Sequence, residues 1–174
     1  NPLWIAGKFG PALQFNGTNN FVNLGSFPIS PATITVGAWI RPTSVTGRHD
    51  FISKWDPGGQ RSFILLYGLT SQKLEFYVST NGTAATSSGV SITSVAVGTW
   101  VHVVGTFNGA TIRLYVNGIQ ESSAALSGSI FWNTARNLEF GANSGNPVYF
   151  AGDIDNVCIY NNALTPSTVL WLYQ

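Results

Sequence analysis

Trp100-Val-His-Val-Val-Gly-Thr-Phe-Asn-Gly-Ala-Thr-Ile-Arg-Leu-Tyr-Val-Asn-Gly118 reads as two strands and two turns in succession. In Thr111–Val116, Ile112, Leu114 and Val116 oppose Thr111, Arg113 and Tyr115, the period-two pattern of a strand with one buried face. Asn108-Gly109 divides the two runs and Asn117-Gly118 closes the second. Asn-Gly favours the positive φ of a type I′ turn, so the stretch reads as a hairpin.

The same reading extends in both directions. Thr33–Ile40 alternates, with Ile34, Val36, Ala38 and Ile40 on one face and Thr33, Thr35 and Trp39 on the other. Phe51–Trp55, Ser62–Tyr67 and Lys73–Val78 read as further strands, and Asn81-Gly82 divides another pair. Short strands recurring about every 8–12 residues point to a sandwich or jelly roll. The Ser/Thr/Gly-rich stretch 79–99 interrupts the pattern without a lasting change in composition, so the chain reads as one domain over residues 1–174. The one helical candidate is Thr165–Tyr173, with Thr165 as cap and Pro166 at the first helical position, one or two turns long.

Composition narrows the function. Charged residues are 9% of the chain and hydrophobic ones 44%, against about 25% charged in an ordinary globular domain. The net charge of +1 leaves no basic field for nucleic acid. No run of about 20 apolar residues is present for membrane insertion. Ser, Thr, Asn and Gly replace the charge. Such a surface is neutral and hydrogen-bonding, suited to extracellular carbohydrate ligands or to packing against copies of itself. Cys158 is the single cysteine. It permits no internal disulfide and reads as a small buried hydrophobe. The chain does not begin with Met, and reads as a mature form or an excised domain.

Five motifs now stand in order: Ala12–Leu24, Ile34–Pro42, Gly98–Phe107, Ile112–Gly118 and Gly152–Leu164. Together they resemble the laminin-G-like, concanavalin A-like lectin and glucanase superfamily over roughly residues 7–172. The resemblance implies an all-β fold: a two-sheet antiparallel jelly-roll sandwich, concanavalin A-like, with at most one short C-terminal helix. It implies a secreted or cell-surface module, since members include carbohydrate-binding modules and adhesins.

In Asp153-Ile-Asp-Asn-Val-Cys-Ile159, the two carboxylates share parity with Val157 and Ile159. If that face is buried, they point inward and must be paired, hydrogen-bonded or bound to metal. The resemblance implies a calcium ion near the last strand and the first hairpin. Asp153 and Asp155 match its acidic positions, and Asn16, Gly17 and Asn20 match the first motif. Asn stands where the family often has Asp, which lowers the negative charge available to calcium. The other reading is that the carboxylates accept backbone N–H bonds at a sheet edge.

The catalytic set of related glucanases, Glu-x-Asp-x-x-Glu, is absent. Glu75, Glu121 and Glu139 stand alone and read as solvent-facing strand positions. A glycosidase needs two carboxylates flanking the bond it cleaves. His102 reads as a structural, hydrogen-bonding strand residue. His49 and Asp50 are adjacent, and adjacent strand residues face opposite ways. The chain therefore reads as non-catalytic.

Two functions remain. As a carbohydrate-binding or adhesive module it needs polar side chains around an aromatic platform. The loop Arg48–Arg61 offers such a mixture, with Trp55 as the platform and His49 and Arg61 beside it, and Tyr67, Trp132, Asn143 and Tyr149 are weaker candidates. Trp39, Trp55 and Trp100 also read as core residues. As a self-assembling subunit of an extracellular filament, sheath or surface layer, it would join through its apolar ends, Trp4 and Ile5 with Trp171 and Tyr173. These either dock on their own domain or on a neighbouring copy. The expected partners are thus a glycan or other surface ligand, or a homopolymer.

Overall fold

The computed structural model describes residues 1–27 and 29–174. Among these described residues fifteen strands and one helix succeed one another in chain order. They are β1 (Leu3–Ala6), β2 (Pro11–Asn16), β3 (Val22–Asn23), β4 (Ile34–Pro42), β5 (His49–Lys54), β6 (Phe63–Tyr67), β7 (Leu74–Val78) and β8 (Thr86–Val90). After these come β9 (Val101–Phe107), β10 (Thr111–Val116), β11 (Ile119–Ala125), β12 (Glu139–Phe140), β13 (Ala142–Asn143), β14 (Val148–Tyr149), β15 (Ala151–Tyr160) and α1 (Pro166–Tyr173).

The strands build two large antiparallel sheets and one small hairpin. A seven-stranded sheet has the order β1-β2-β15-β4-β9-β10-β11, and a six-stranded sheet the order β3-β12-β5-β6-β7-β8. β13 and β14 pair with each other. This is the jelly-roll sandwich the strand pattern implies. The inner faces meet as expected from the alternation: Ile34, Val36, Ala38 and Ile40 of β4 join Phe63, Leu65, Leu74, Phe76 and Val78 in one core. Each Val, Leu, Ile or Phe side chain so removed from water stabilises by about 1.5–3 kcal/mol. Gly105 of β9 lies under the Phe76 ring, where a Cβ has no room.

Turn chemistry holds at one Asn-Gly and shifts at another. Asn117 (φ 50°) and Gly118 (φ 79°) are both left-handed, and Val116 pairs with Ile119 across them, as a type I′ turn requires. At Asn108-Gly109 only the glycine has positive φ. There Asn108 Oδ1 accepts the Ala110 and Thr111 N–H groups, and the loop is longer. The helix begins as its sequence suggests, with Thr165 accepting the Thr168 N–H and Pro166 opening the first turn. Its Val169 packs against Val104 and Tyr115 on the outer face of the seven-stranded sheet.

Strand β15 corrects the expected parity. It pairs Asp155 with Trp39 and Cys158 with Gly37, three steps against two, so one residue is extra. Asn156 occupies this bulge at φ 45°. A bulge re-aims the side chains beyond it. Ile154, Val157 and Ile159 all pack on the inner core, whereas Asp153 and Asp155 share the outward side of Arg41 and Trp39, their partners in register. The two carboxylates thus point away from the core, not into it.

Gly105→Ala forces a methyl into the Phe76 ring. It is expected to lower unfolding free energy by about 1–3 kcal/mol, read as a shifted midpoint with unchanged slope in urea denaturation.

Candidate functional site

The residues matched to a calcium shell are not brought together. Asp155 Oδ2 accepts the Lys8 and Phe9 N–H groups at 2.8 and 2.9 Å, and Oδ1 accepts that of Asn156 at 2.7 Å. It fastens the β1–β2 turn. Asp153 Oδ2 accepts from Arg41 Nε at 2.7 Å, and the Arg41 guanidinium lies 4.9 Å over Trp100. Asp153 Oδ1 is buried without a partner among the described residues. Asn16 sits beyond, opposite Ala151 rather than either aspartate. Its Oδ1 accepts the N–H groups of Thr18, Asn19 and Asn20. Gly17 N–H donates to Phe150 O. With the oxygens of Asp155 and Asn16 committed to N–H donors and set at opposite ends of β2, Asp153, Asp155, Asn16, Gly17 and Asn20 do not fit one calcium ion, which takes six to eight oxygens.

The expected aromatic platforms are closed as well. Trp55 is 8% exposed, packed with Ile64, Leu66 and Tyr77 on the outer face of the six-stranded sheet. The Arg61 guanidinium caps it at 5.7 Å. Trp132 packs on Phe63, donates its indole N–H to Phe27 O at 3.1 Å, and takes the Lys54 ammonium at 5.0 Å. Lys54 is fully buried, with Nζ donating to Ser26 O and Arg136 O. Desolvation pushes its pKa down to about 8. His49 turns inward against Tyr67 and Phe150, its Nε2 within 3.1 Å of Thr46 O. Burial lowers its pKa. Asn143 is buried, and its amide has no hydrogen-bond partner among the described residues.

The terminal residues divide. Trp4 and Trp171 are 72% and 71% exposed, and Ile5 is half-buried. Tyr173 instead docks on its own domain, stacked on Trp39 with ring centres 5.4 Å apart. Trp39 and Tyr173 both lie against the His102 ring. The His102 role is therefore ring packing, with Nδ1 left unpartnered among the described residues. Desolvation lowers its pKa to about 4.

A groove of about 420 Å³ opens on the outer face of the six-stranded sheet, sharing only Arg48 with the loop read from the sequence as a binding site. Arg48, Glu75, Tyr77, Ser71 and Asn146 reach it, beside Leu66, Leu69 and Val148. Register explains the convergence: Asp50 of β5 pairs with Leu66 of β6, which pairs with Glu75 of β7. Glu75 lines the groove but is only 7% exposed, unlike the open strand position expected of it. Its Oε2 accepts the Tyr77 hydroxyl at 2.5 Å and its Oε1 accepts Ser71 Oγ. Gly68 makes room for that carboxylate, since a side chain there would strike it. Glu121 and Glu139 are likewise engaged, with Thr93 and Ser144. Beneath the groove Arg48 donates to Asp50 through Nε at 2.7 Å and Nη2 at 3.1 Å. Burial raises the Asp50 pKa, while Arg48 opposes the rise. The neighbouring Asn143 amide acts with Arg48, although it makes no well-formed hydrogen bond. Burial, then the Glu75 carboxylate, raises the Tyr77 pKa.

This outer-face groove belongs to a fold with known relatives. The family described as the concanavalin A-like lectin/glucanases superfamily matches residues 16–170. The chain belongs to that superfamily. No curated protein matches it. Among solved structures, domain 4 of AbnA, a GH43 extracellular arabinanase from Geobacillus stearothermophilus in complex with arabinotriose, superposes with a TM-score of 0.79 at 23% identity, over 100% of this chain and 82% of that one. The CBM40 of the Ruminococcus gnavus IT-sialidase, bound to α2,3 sialyllactose, gives 0.72 at 13% identity, over 94% and 96% of the two chains. The heptameric SAP-like pentraxin of Limulus polyphemus gives 0.68 at 17%, over 92% and 80%. At these identities the likeness to the three proteins is one of fold.

The polar contacts carry two expected outcomes. Asp155→Ala leaves the Lys8 and Phe9 N–H groups without their acceptor, at roughly 1–3 kcal/mol for each that stays buried; added calcium leaves the wild-type melting temperature unchanged, because an ion that does not bind the folded state does not stabilise it. The second concerns acid. His102 has a folded pKa of about 4, below its ordinary 6.5, so the unfolded chain takes up the proton first. Stability held above pH 6.5 is lost as pH falls toward 4. His102→Phe, compared with wild type in denaturant melts across that window, is expected to remove a loss of at most about 3 kcal/mol.

Proposed function

We propose that the chain is a non-catalytic carbohydrate-binding module, acting outside the cell, that takes its glycan in the Arg48–Glu75–Tyr77 groove. The observation that carries this reading is the groove itself: polar groups from three separate segments meet there beside Leu66, Leu69 and Val148. A few placed hydrogen-bonding groups on an apolar wall is the usual make-up of a small-ligand site. The Tyr77 ring offers the apolar face that sugar C–H groups pack on. The arabinotriose and sialyllactose complexes of the AbnA and sialidase domains support a glycan as ligand class. Binding rather than cleavage is favoured because Asp50 is sealed beneath Arg48. Glu75 is then, among the described residues, the one carboxylate lining the groove, whereas hydrolysis takes two flanking the bond. A neutral, Ser/Thr/Asn-rich surface suits life outside the cell. Among the described residues no helix is long and apolar enough to cross a membrane.

A second reading rests on the exposure of Trp4 and Trp171. β1 is an edge strand of the seven-stranded sheet, and an open edge is a template for another chain. Self-assembly into a filament or layer through Trp4, Ile5 and Trp171 remains consistent with that exposure, while Tyr173 has no part in it.

Leu69 is 64% exposed on the groove wall, so Leu69→Arg fills the groove without disturbing the core. Affinity electrophoresis against arabinan, galactan, xylan, mannan and β-glucan is expected to show retardation of the wild type by at least one polymer and at least a tenfold loss in Leu69→Arg at unchanged melting temperature. Equal retardation of both proteins would move the ligand elsewhere. Light scattering over a wide concentration range tests the second reading: mass growing with concentration in the wild type and a constant 18.6 kDa in Trp4→Ser/Trp171→Ser would establish assembly through these residues.

A further inference from the structure

Resting on the carbohydrate reading, we infer that the groove selects uncharged, hydroxyl-rich glycans and turns away those that carry carboxylates. Local charge, and the partner each cation holds, sets this preference. Among the described residues Arg48 is the one cation lining the groove. Two of its N–H groups are taken by Asp50, whose carboxylate is fully buried behind it. Asp50 balances the guanidinium charge, so the N–H groups Arg48 has left act as hydrogen-bond donors from a pair that is neutral overall. The other cations of this region do not line the groove, and their donors are engaged elsewhere. Lys73 Nζ donates to Ile92 O and Ser94 Oγ. Arg61 lies over Trp55 and donates to Pro57 O. Arg136 pairs with Asp56 at 3.5 Å.

Glu75 is left as the unbalanced charge of the lining. Its two oxygens already accept from Ser71 and Tyr77, which fixes their direction. A carboxylate accepts about four hydrogen bonds in all, so it has room for donors from a ligand. A sugar hydroxyl supplies such a donor. A uronate or sialate carboxylate supplies none and meets a like charge instead, a juxtaposition that costs affinity and so serves specificity. Asn146 and Thr70 at the rim offer neutral contacts that suit further hydroxyls.

Chemically matched pairs test this. Binding of lactose against α2,3-sialyllactose, α-1,4-galactobiose against α-1,4-digalacturonate, and galactan against polygalacturonate is measured by calorimetry and affinity electrophoresis at low salt, alongside the neutral polymers above. The expected result is binding to neutral glycans only, with acidic partners at least tenfold weaker, and a narrowed gap in Glu75→Gln. An acidic glycan bound as tightly as its neutral counterpart, with Leu69→Arg abolishing both, overturns the inference and leaves the carbohydrate reading standing. Binding to neither class overturns the carbohydrate reading itself and the inference with it. Should Glu75→Gln not fold, salt serves on the wild type. Rising ionic strength screens repulsion, so affinity for the acidic partner increases while that for the neutral one stays level; a fall for the acidic partner overturns the inference.

Discussion

Strand β15 lies between β2 and β4, and the seven-stranded sheet hangs together through it. The N-terminal hairpin has no other partner in that sheet. Asp155 strengthens the junction from the side, gathering the Lys8 and Phe9 N–H groups at the turn. Just after it, the Asn156 bulge turns Val157 and Ile159 toward the core. One extra residue therefore decides which side chains of the longest strand are structural and which face outward. Without it the alternation would send Asp155 and Ile159 to the same side.

The sparse charge of the chain is organised by the same logic. All seven acidic residues accept hydrogen bonds. Asp50 and Asp153 take arginines, Glu121, Glu139 and Asp155 take loop N–H groups, Asp56 takes Gly58 N–H, and Glu75 takes two hydroxyls. Carboxylates in this fold act mainly as clamps on loops that a neutral surface otherwise leaves to weak Ser and Asn contacts. The groove on the six-stranded sheet is where such a clamp also opens to solvent.

Strands with strong alternation, such as Ile34–Pro42 and Thr111–Val116, were plain in the sequence because one face is apolar throughout. The capped helix was equally plain. β8, Thr-Ser-Ser-Gly-Val, and β11, Ile-Gln-Glu-Ser-Ser-Ala-Ala, were not. Both are edge strands, half-wet, and held by pairing rather than by apolar content. The groove was half legible. Glu75 and Tyr77 alternate with Leu74, Phe76 and Val78, so their shared face could be read. What could not be read was the register that sets Asp50, Leu66 and Glu75 in one row. Neither could the closure of Trp55 and Trp132: an indole flanked by Arg and Lys reads the same in sequence whether the cation lies over the ring or in water.

The indole of Trp39 joins the two ends of the chain. Lys8 sits over it and Phe9 meets its edge from the N-terminal side, while Tyr173 stacks on it from the C-terminal side. Segments more than 160 residues apart in sequence thus share one surface. Undocking either exposes an aromatic face on which the other depends. Such segments do not fray independently, as chain ends usually do; they open together, as one cooperative unit. The protection of the Lys8 and Phe9 amides against solvent exchange is thereby tied to the docking of a helix at the other end of the chain.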